Sequence, residues 1–206
     1  MVVIRNTKMI KFKNLSEEIP FVQFKEKYNS ALEAGQNIIE AIAISSYNCK
    51  TNEVDSRFVN LKFIDVNDFI FFSNYDSPKS QAFRTNSQIS ALIHWSSINV
   101  QIRMKAKISK TSKEYNKEYF SNRSKDKNAL AISSMQSQKI KTYEDIQIKY
   151  EDTKKNKDLY KCPDYWGGFK FSPYYFEFWE GHPSRINKRE AYEKIDGNWE
   201  KYFLEP

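Results

Sequence analysis

Cysteine is nearly missing from this chain. Two occur in 206 residues, Cys49 and Cys162, far apart and matching neither metal spacing nor a disulfide framework. Histidine is as scarce: neither His94 nor His182 has a Cys, Asp or His partner at metal-ligand spacing, so no metal site is expected. Five glycines and six prolines leave little room for flexible linkers or low-complexity tracts. No run of about 18 apolar residues occurs, so no membrane-spanning segment is expected. The opening stretch MVVIRNTKMIKFKNL is too often interrupted by Lys and Arg for a secretory signal, and a cytoplasmic protein is the simplest expectation. G-x-S-x-G, P-loop and G-x-G-x-x-G motifs are also missing, which leaves serine or cysteine nucleophile chemistry poorly supported.

Large aromatic side chains are abundant instead. They make up 16% of the chain, with 15 Phe and 13 Tyr, enough to bury a real core in one domain. The formal net charge of +7 admits nucleic acid, anionic lipid or a phosphorylated small ligand as partner. The charges are mostly interspersed, as in KEKYNS and KNKDLYK, which describes solvated faces. The basic residues form no stripe with regularly interleaved aromatics, so a nucleic-acid partner is not expected.

Periodicity predicts a helix through PFVQFKEKYNSALEAG, opened by Pro20 and stopped at Gly35, with Phe21, Phe24, Tyr28, Ala31 and Leu32 on one face. Strand patterns follow at 38–45 and 57–64. DVND then turns the chain into 69–74, predicting a hairpin with a four-residue loop. A second hairpin is expected from 89–95 and 99–108, where Val100, Ile102, Met104, Ala106 and Ile108 alternate with Gln101, Arg103, Lys105 and Lys107. Helices are expected from Ser112, through DKNALAISS, and over about 142–160 with a capping box at Thr142 and Asp145. GFKFS, YYFEFWE and NWEKYFL read as closing strands. Strands, helices and strands again point to a small β-barrel with helical decoration.

Three segments combine polar donors with strand register. Arg57 and Lys62 are placed on opposite faces of a regular strand. SNYDSPKS (73–80) joins small hydroxyls, a turn and Lys79 into a candidate anion site. Gln101 and Arg103 share the polar side of their strand. WGG (166–168) and EFW (177–179) read first as packing features, although Trp179 could wall a flat ring.

Taken in order, R-x-V-x-L-K (57–62), FFSNYDSPK (71–79), W-x5-Q-I-R (95–103), YFSNR (119–123), QSQKI (136–140), WGGFKFSP (166–173), EFW-x-G (177–181) and R-x3-R (185–189) resemble the pyridoxamine 5′-phosphate oxidase family over about residues 36–206. The resemblance implies a mainly β fold with added helices, an antiparallel Greek-key split β-barrel of the FMN-binding type. It implies a single domain over 1–206: an N-terminal segment and helix (1–35), barrel core and helices (36–140), and a helix with C-terminal dimerisation strands (141–206). It implies an FMN-dependent oxidoreductase, a homodimer with flavin sites at the interface, acting on a small phosphorylated substrate. Arg57, Lys79 and Ser137 would hold the FMN phosphate and ribityl end, with Val59, Leu61, Lys62, Phe72 and Ser73 along the cofactor. Gln101 and Gln136 would hydrogen-bond it, and Trp179 and Arg189 would reach it from the partner subunit. Lys62, Tyr119, Arg123 and Lys127 would grip the substrate phosphate. Arg185 and Asn187 would lie over the substrate ring as the catalytic pair.

Three departures from the family pattern matter. Asn187 replaces a His and cannot titrate near neutral pH. Lys127 replaces a Ser that touches the substrate phosphate. Pro78 replaces a basic residue beside Lys79, removing a charge and an N–H. The resemblance therefore also admits an FMN-dependent oxidase of another reduced ring, as in phenazine biosynthesis, or a flavin-binding module without turnover.

Overall fold

The computed structural model describes residues 9–206; the first eight residues of the opening stretch lie outside the described residues. Helix α1 (Ile19–Glu33) carries Pro20 in its first turn and buries Phe21, Phe24, Tyr28 and Ala31 on one face. Gly35, at φ +74°, ends it in the left-handed conformation that glycine adopts without a Cβ clash. No helix of the described residues is long and apolar enough to cross a membrane.

The strands are β1 (Lys11–Lys13), β2 (Ala41–Asn48), β3 (Glu53–Asn60), β4 (Phe63–Asp65), β5 (Asp68–Asn74), β6 (Gln88–Trp95), β7 (Val100–Lys110), β8 (Trp166–Glu180), β9 (Lys188–Ile195) and β10 (Asn198–Phe203). Between them run α2 (Pro78–Thr85), α3 (Lys113–Ser121), α4 (Lys125–Ser133) and α5 (Tyr143–Asn156). One sheet contains all ten strands in the order β1-β4-β5-β8-β7-β6-β2-β3, with β9 on β8 and β10 on β9. Every ladder is antiparallel except the three-residue β1–β4 pair. The fold is mainly β with added helices, as expected.

One core takes side chains from β2, β4 to β9, α1 and α2. In β7 the alternation works as read, with Val100, Ile102, Met104, Ala106 and Ile108 pointing inward; in β6 Ile89, Ala91, Ile93 and Trp95 alternate inward likewise. Aromatic contacts tie the layers, such as Phe21 edge-on to Phe176 at 5.2 Å and Phe69 stacked on Phe171 at 5.2 Å. Ser112 caps α3 by accepting from Tyr115 N, and the Thr142–Asp145 capping box on α5 forms in both directions.

The sequence reading is corrected at four places. The strand expected over 57–64 breaks after Asn60: Leu61 N still donates to Glu40 O at 2.9 Å, one step past the last β2–β3 pair, but Lys62 N donates to Ile70 O of β5 at 2.8 Å, so the chain changes partner strand at Lys62. Asp65 pairs with Asp68, so the hairpin turn holds Val66 and Asn67 alone, with Val66 at φ +52°. GFKFS and YYFEFWE are one strand, β8; Pro173, which has no N–H to give a ladder, sits where the register shifts opposite Lys105 and Ala106. SNYDSPKS is not only a turn, since α2 starts at Pro78, a position that needs no N–H within the helix. Strands β1 and β9 carried no recognised pattern.

Candidate functional site

The break between β3 and β4 shapes the site. It turns Lys62 toward the same cleft as Arg57 and Val59, where an unbroken strand would have separated Arg57 from Lys62. The cleft measures about 500 Å³. Phe72 and Ser73 of β5, Lys79 of α2, Tyr119 of α3, Arg123, Lys127 of α4, Gln136 and Ser137 complete most of its wall. Eleven residues proposed from sequence therefore line one cavity.

At one end three donors converge on a single oxygen. Gln136 Oε1 accepts from Ser73 Oγ at 2.9 Å, from Lys79 Nζ at 2.9 Å and from Asn74 N at 3.4 Å. Lys79 also donates to Ser77 Oγ at 3.2 Å. Arg57 donates through Nη1 to Ile44 O at 3.1 Å and to Ser46 Oγ at 2.8 Å, and its Nη2 is ion-paired with the exposed Asp55. Burial, and then the neighbouring charge of Arg57, push the Lys79 ammonium down to about 8. A buried cation beside a second cation is the environment that a phosphate relieves, so this end fits an anionic tail.

The other end is cationic and aromatic. Phe72 stacks on Tyr119 with centroids 3.7 Å apart and on Trp166 at 5.3 Å. The Arg123 guanidinium lies 4.4 Å from the centre of the Trp166 ring. Its Nη1 is buried without a hydrogen-bond partner among the described residues, a donor still to be satisfied. Burial pushes the Tyr119 hydroxyl up and the Arg123 guanidinium down. Lys62 and Lys127 stand on the same wall.

Six proposed residues do not line this cleft. Leu61 is fully buried in the core, so its side chain faces away from any ligand there. Gln101, Trp179 and Arg189 are direct register neighbours across β7, β8 and β9, on the sheet face away from the core. Arg189 Nε donates to Glu177 Oε1 and Arg189 Nη1 to Glu205 O, both at 2.8 Å. Arg185 and Asn187 lie in the link between β8 and β9: Arg185, at φ +62°, donates its N–H to His182 O, and Asn187 Oδ1 accepts from His182 N at 3.0 Å.

Sequence reasoning missed Trp166, Phe58 and Asn60 as cleft residues. WGG was read as packing, and for the glycines it is: a Cβ on Gly167 would meet Tyr75 Oη at 2.3 Å, and one on Gly168 would meet Thr111 Oγ1 at 2.4 Å. Nothing in the local pattern marks Trp166 as also walling a ligand site.

The mainly β fold and the cationic, aromatic-walled cleft define the class, a split-barrel protein of the flavin-binding type. The family model of the pyridoxine 5′-phosphate oxidase C-terminal dimerisation region matches residues 166–206. A pyridoxine/pyridoxamine 5′-phosphate oxidase of Hydrogenovibrio crunogenus is 34% identical over 191 residues, covering 91% of this chain and 88% of that protein. One from Colwellia psychrerythraea is 32% identical over 194 residues, covering 93% and 88%. Among solved structures, PhzG from Burkholderia lata, in complex with tetrahydrophenazine-1-carboxylic acid, shares the fold with a TM-score of 0.85 at 21% identity, covering 91% of this chain and 92% of that one. A pyridoxamine 5′-phosphate oxidase-related, FMN-binding protein of Nostoc punctiforme does so at 0.70 and 12%, covering 91% and 95%. The chain belongs to the pyridoxine/pyridoxamine 5′-phosphate oxidase family, a family of flavin-dependent oxidoreductases.

Proposed function

We propose that this chain is an FMN-dependent oxidase that converts pyridoxine or pyridoxamine 5′-phosphate to pyridoxal 5′-phosphate, with O2 as acceptor, and works as a homodimer of single-domain protomers. The observation that carries this reading is the cleft with cations at both ends and stacked aromatic rings on its wall. Such a cleft suits two phosphate-bearing molecules, one cofactor and one substrate, with flat rings between them.

FMN, when bound, supplies the redox chemistry: it takes up the hydride equivalent and passes electrons to oxygen. The protein supplies placement and charge. Lys79, Arg57, Ser73 and Ser137 hold the cofactor phosphate and ribityl chain, and the Gln136 amide orders Ser73 and Lys79 beside it. Lys62, Tyr119, Arg123 and Lys127 hold the substrate phosphate. Because Gln101, Trp179 and Arg189 lie on another face of the same chain, they serve the partner's cleft, and Arg185 and Asn187 cover the substrate ring. The match to a dimerisation region over residues 166–206 supports this two-chain site. No paired acid and base is required, which agrees with the scarcity of histidine.

Purified protein supplied with FMN and pyridoxine 5′-phosphate should consume oxygen and form pyridoxal 5′-phosphate. Bound FMN without turnover would remove the reading.

A second reading keeps FMN and changes the reduced ring, and Asn187 and Lys127 favour it. The Asn187 side chain is engaged with the His182 N–H and carries no titratable proton near neutral pH. If these two residues caused a loss of activity toward B6 phosphates, Asn187→His with Lys127→Ser should create or raise it. No gain from the double change would count against this account.

A further inference from the structure

Glu177 is a buried carboxylate on the sheet face that turns away from the core. It is 2% exposed, yet it sits on the same face of β8 as Trp179, between Arg103 of β7 and Ala191 of β9. Burial pushes its carboxyl up, but the hydrogen bond from Arg189 and the charge of Arg103 outweigh this and hold it below the usual range. Glu177 Oε1 accepts from Arg189 Nε at 2.8 Å; Oε2 accepts from Tyr175 Oη at 3.1 Å and faces Arg103 Nη1 at 3.2 Å. A buried ion pair is a poor device for stability alone, because taking the charges out of water offsets much of their attraction. Its geometry suggests a different use. With Nε on Glu177 and Nη1 on Glu205 O, the Arg189 guanidinium is anchored through two of its three nitrogens, on two different sides. Among the described residues Nη2 has no hydrogen-bond partner, and Arg189 stands in one cross-strand row with Trp179 and Gln101.

We propose that Glu177 is a positioning residue: through Arg189 it sets the direction in which that guanidinium meets the flavin of the opposing protomer. The inference rests on the functional reading above, in which Arg189 touches FMN. Arg103 and Tyr175 share the load by fixing the second carboxylate oxygen, so that the carboxylate itself cannot turn.

The test is a double-variant cycle on FMN binding to the full-length dimer, read by quenching of flavin fluorescence and by the position of the flavin absorption bands. Glu177→Gln and Arg189→Ala should each weaken FMN binding about tenfold, the worth of one hydrogen bond to a charged group. The double variant should be no weaker than Arg189→Ala alone and should share its spectrum, because Glu177 acts through Arg189. A merely structural Glu177 would instead give losses that multiply, and that result overturns the proposal. So does a Glu177→Gln protein with unchanged affinity and spectrum. Should Glu177→Gln fail to fold, Glu177→Asp decides. It keeps the charge and withdraws the carboxylate by one methylene, so wild-type affinity and spectrum in that variant overturn the proposal, and a matching loss supports it. A wild-type protein that ignores FMN would overturn the functional reading itself, a result distinct from multiplying losses in a protein that binds it.

Discussion

Lys79 Nζ lies 2.9 Å from Gln136 Oε1, joining the first turn of α2 to the segment between α4 and α5. Ser73 Oγ, from β5, reaches the same oxygen. Two separate parts of the chain, β5 and α2, thus place donors around an oxygen supplied by a third, and the oxygens that Lys79 meets there, Gln136 Oε1 and Ser77 Oγ, are neutral. A phosphate brings to this point the negative charge that those oxygens lack.

This arrangement sets a pH dependence. Lys79 is depressed to about 8 in the folded chain, against an ordinary 10.5. Between those values the unfolded chain holds a proton that the folded one has released, so this residue's contribution makes the ligand-free protein more stable as pH rises through that window. Bound phosphate favours the ammonium, so FMN affinity should fall as pH rises above about 8. Denaturant midpoints and FMN titrations of wild type and Lys79→Met, compared across that range, check both signs. The variant should lose both trends and bind FMN about 10- to 100-fold more weakly, as expected for a lost hydrogen bond to charge.

The substrate end should separate from the cofactor end. Arg123→Ala should raise KM for pyridoxine 5′-phosphate by about tenfold or more, with the FMN dissociation constant little changed. Steady-state kinetics beside an FMN titration check this. An equal loss of FMN affinity would place Arg123 on the cofactor instead.

Gly168→Ala tests the packing behind the cleft. The added Cβ would meet Thr111 Oγ1 at 2.4 Å and the Phe72 ring at 3.2 Å. The expected cost is about 1–3 kcal/mol. For a chain of this size that lowers Tm by roughly 2–4 °C per kcal/mol. Because Phe72 lines the cleft, FMN binding should weaken as well. Thermal melts of the ligand-free variant check the first effect and titration checks the second.

The half-buried strands were legible because burial on one face writes itself as alternation. In β7, Val100 to Ile108 could be assigned from the sequence alone, inside-facing residues included. The cleft was less legible because it depends on where pairing stops. Arg57 and Lys62 read as opposite-facing until the Lys62 N–H is seen bonded to Ile70 of β5, off the β2–β3 ladder. Strand β9, with Lys188, Arg189, Glu190, Glu193 and Lys194, shows no apolar alternation, because Glu190 is buried by ion pairing with Lys188 and Lys201. The alignment of Gln101, Trp179 and Arg189 is a matter of register between strands far apart in sequence, which residue pattern does not encode. Order and spacing of motifs, set against a family, supplied what local pattern could not.

The central claim is that this cleft brings a B6 phosphate to FMN, and anaerobic mixing tests it most directly. Protein loaded with FMN is mixed without oxygen with pyridoxine 5′-phosphate, and flavin absorbance is followed before and after air is admitted. The account predicts bleaching, pyridoxal 5′-phosphate in matching amount, and return of the yellow colour in air. A protein that takes up no FMN, or one whose colour persists under excess pyridoxine 5′-phosphate, would contradict it.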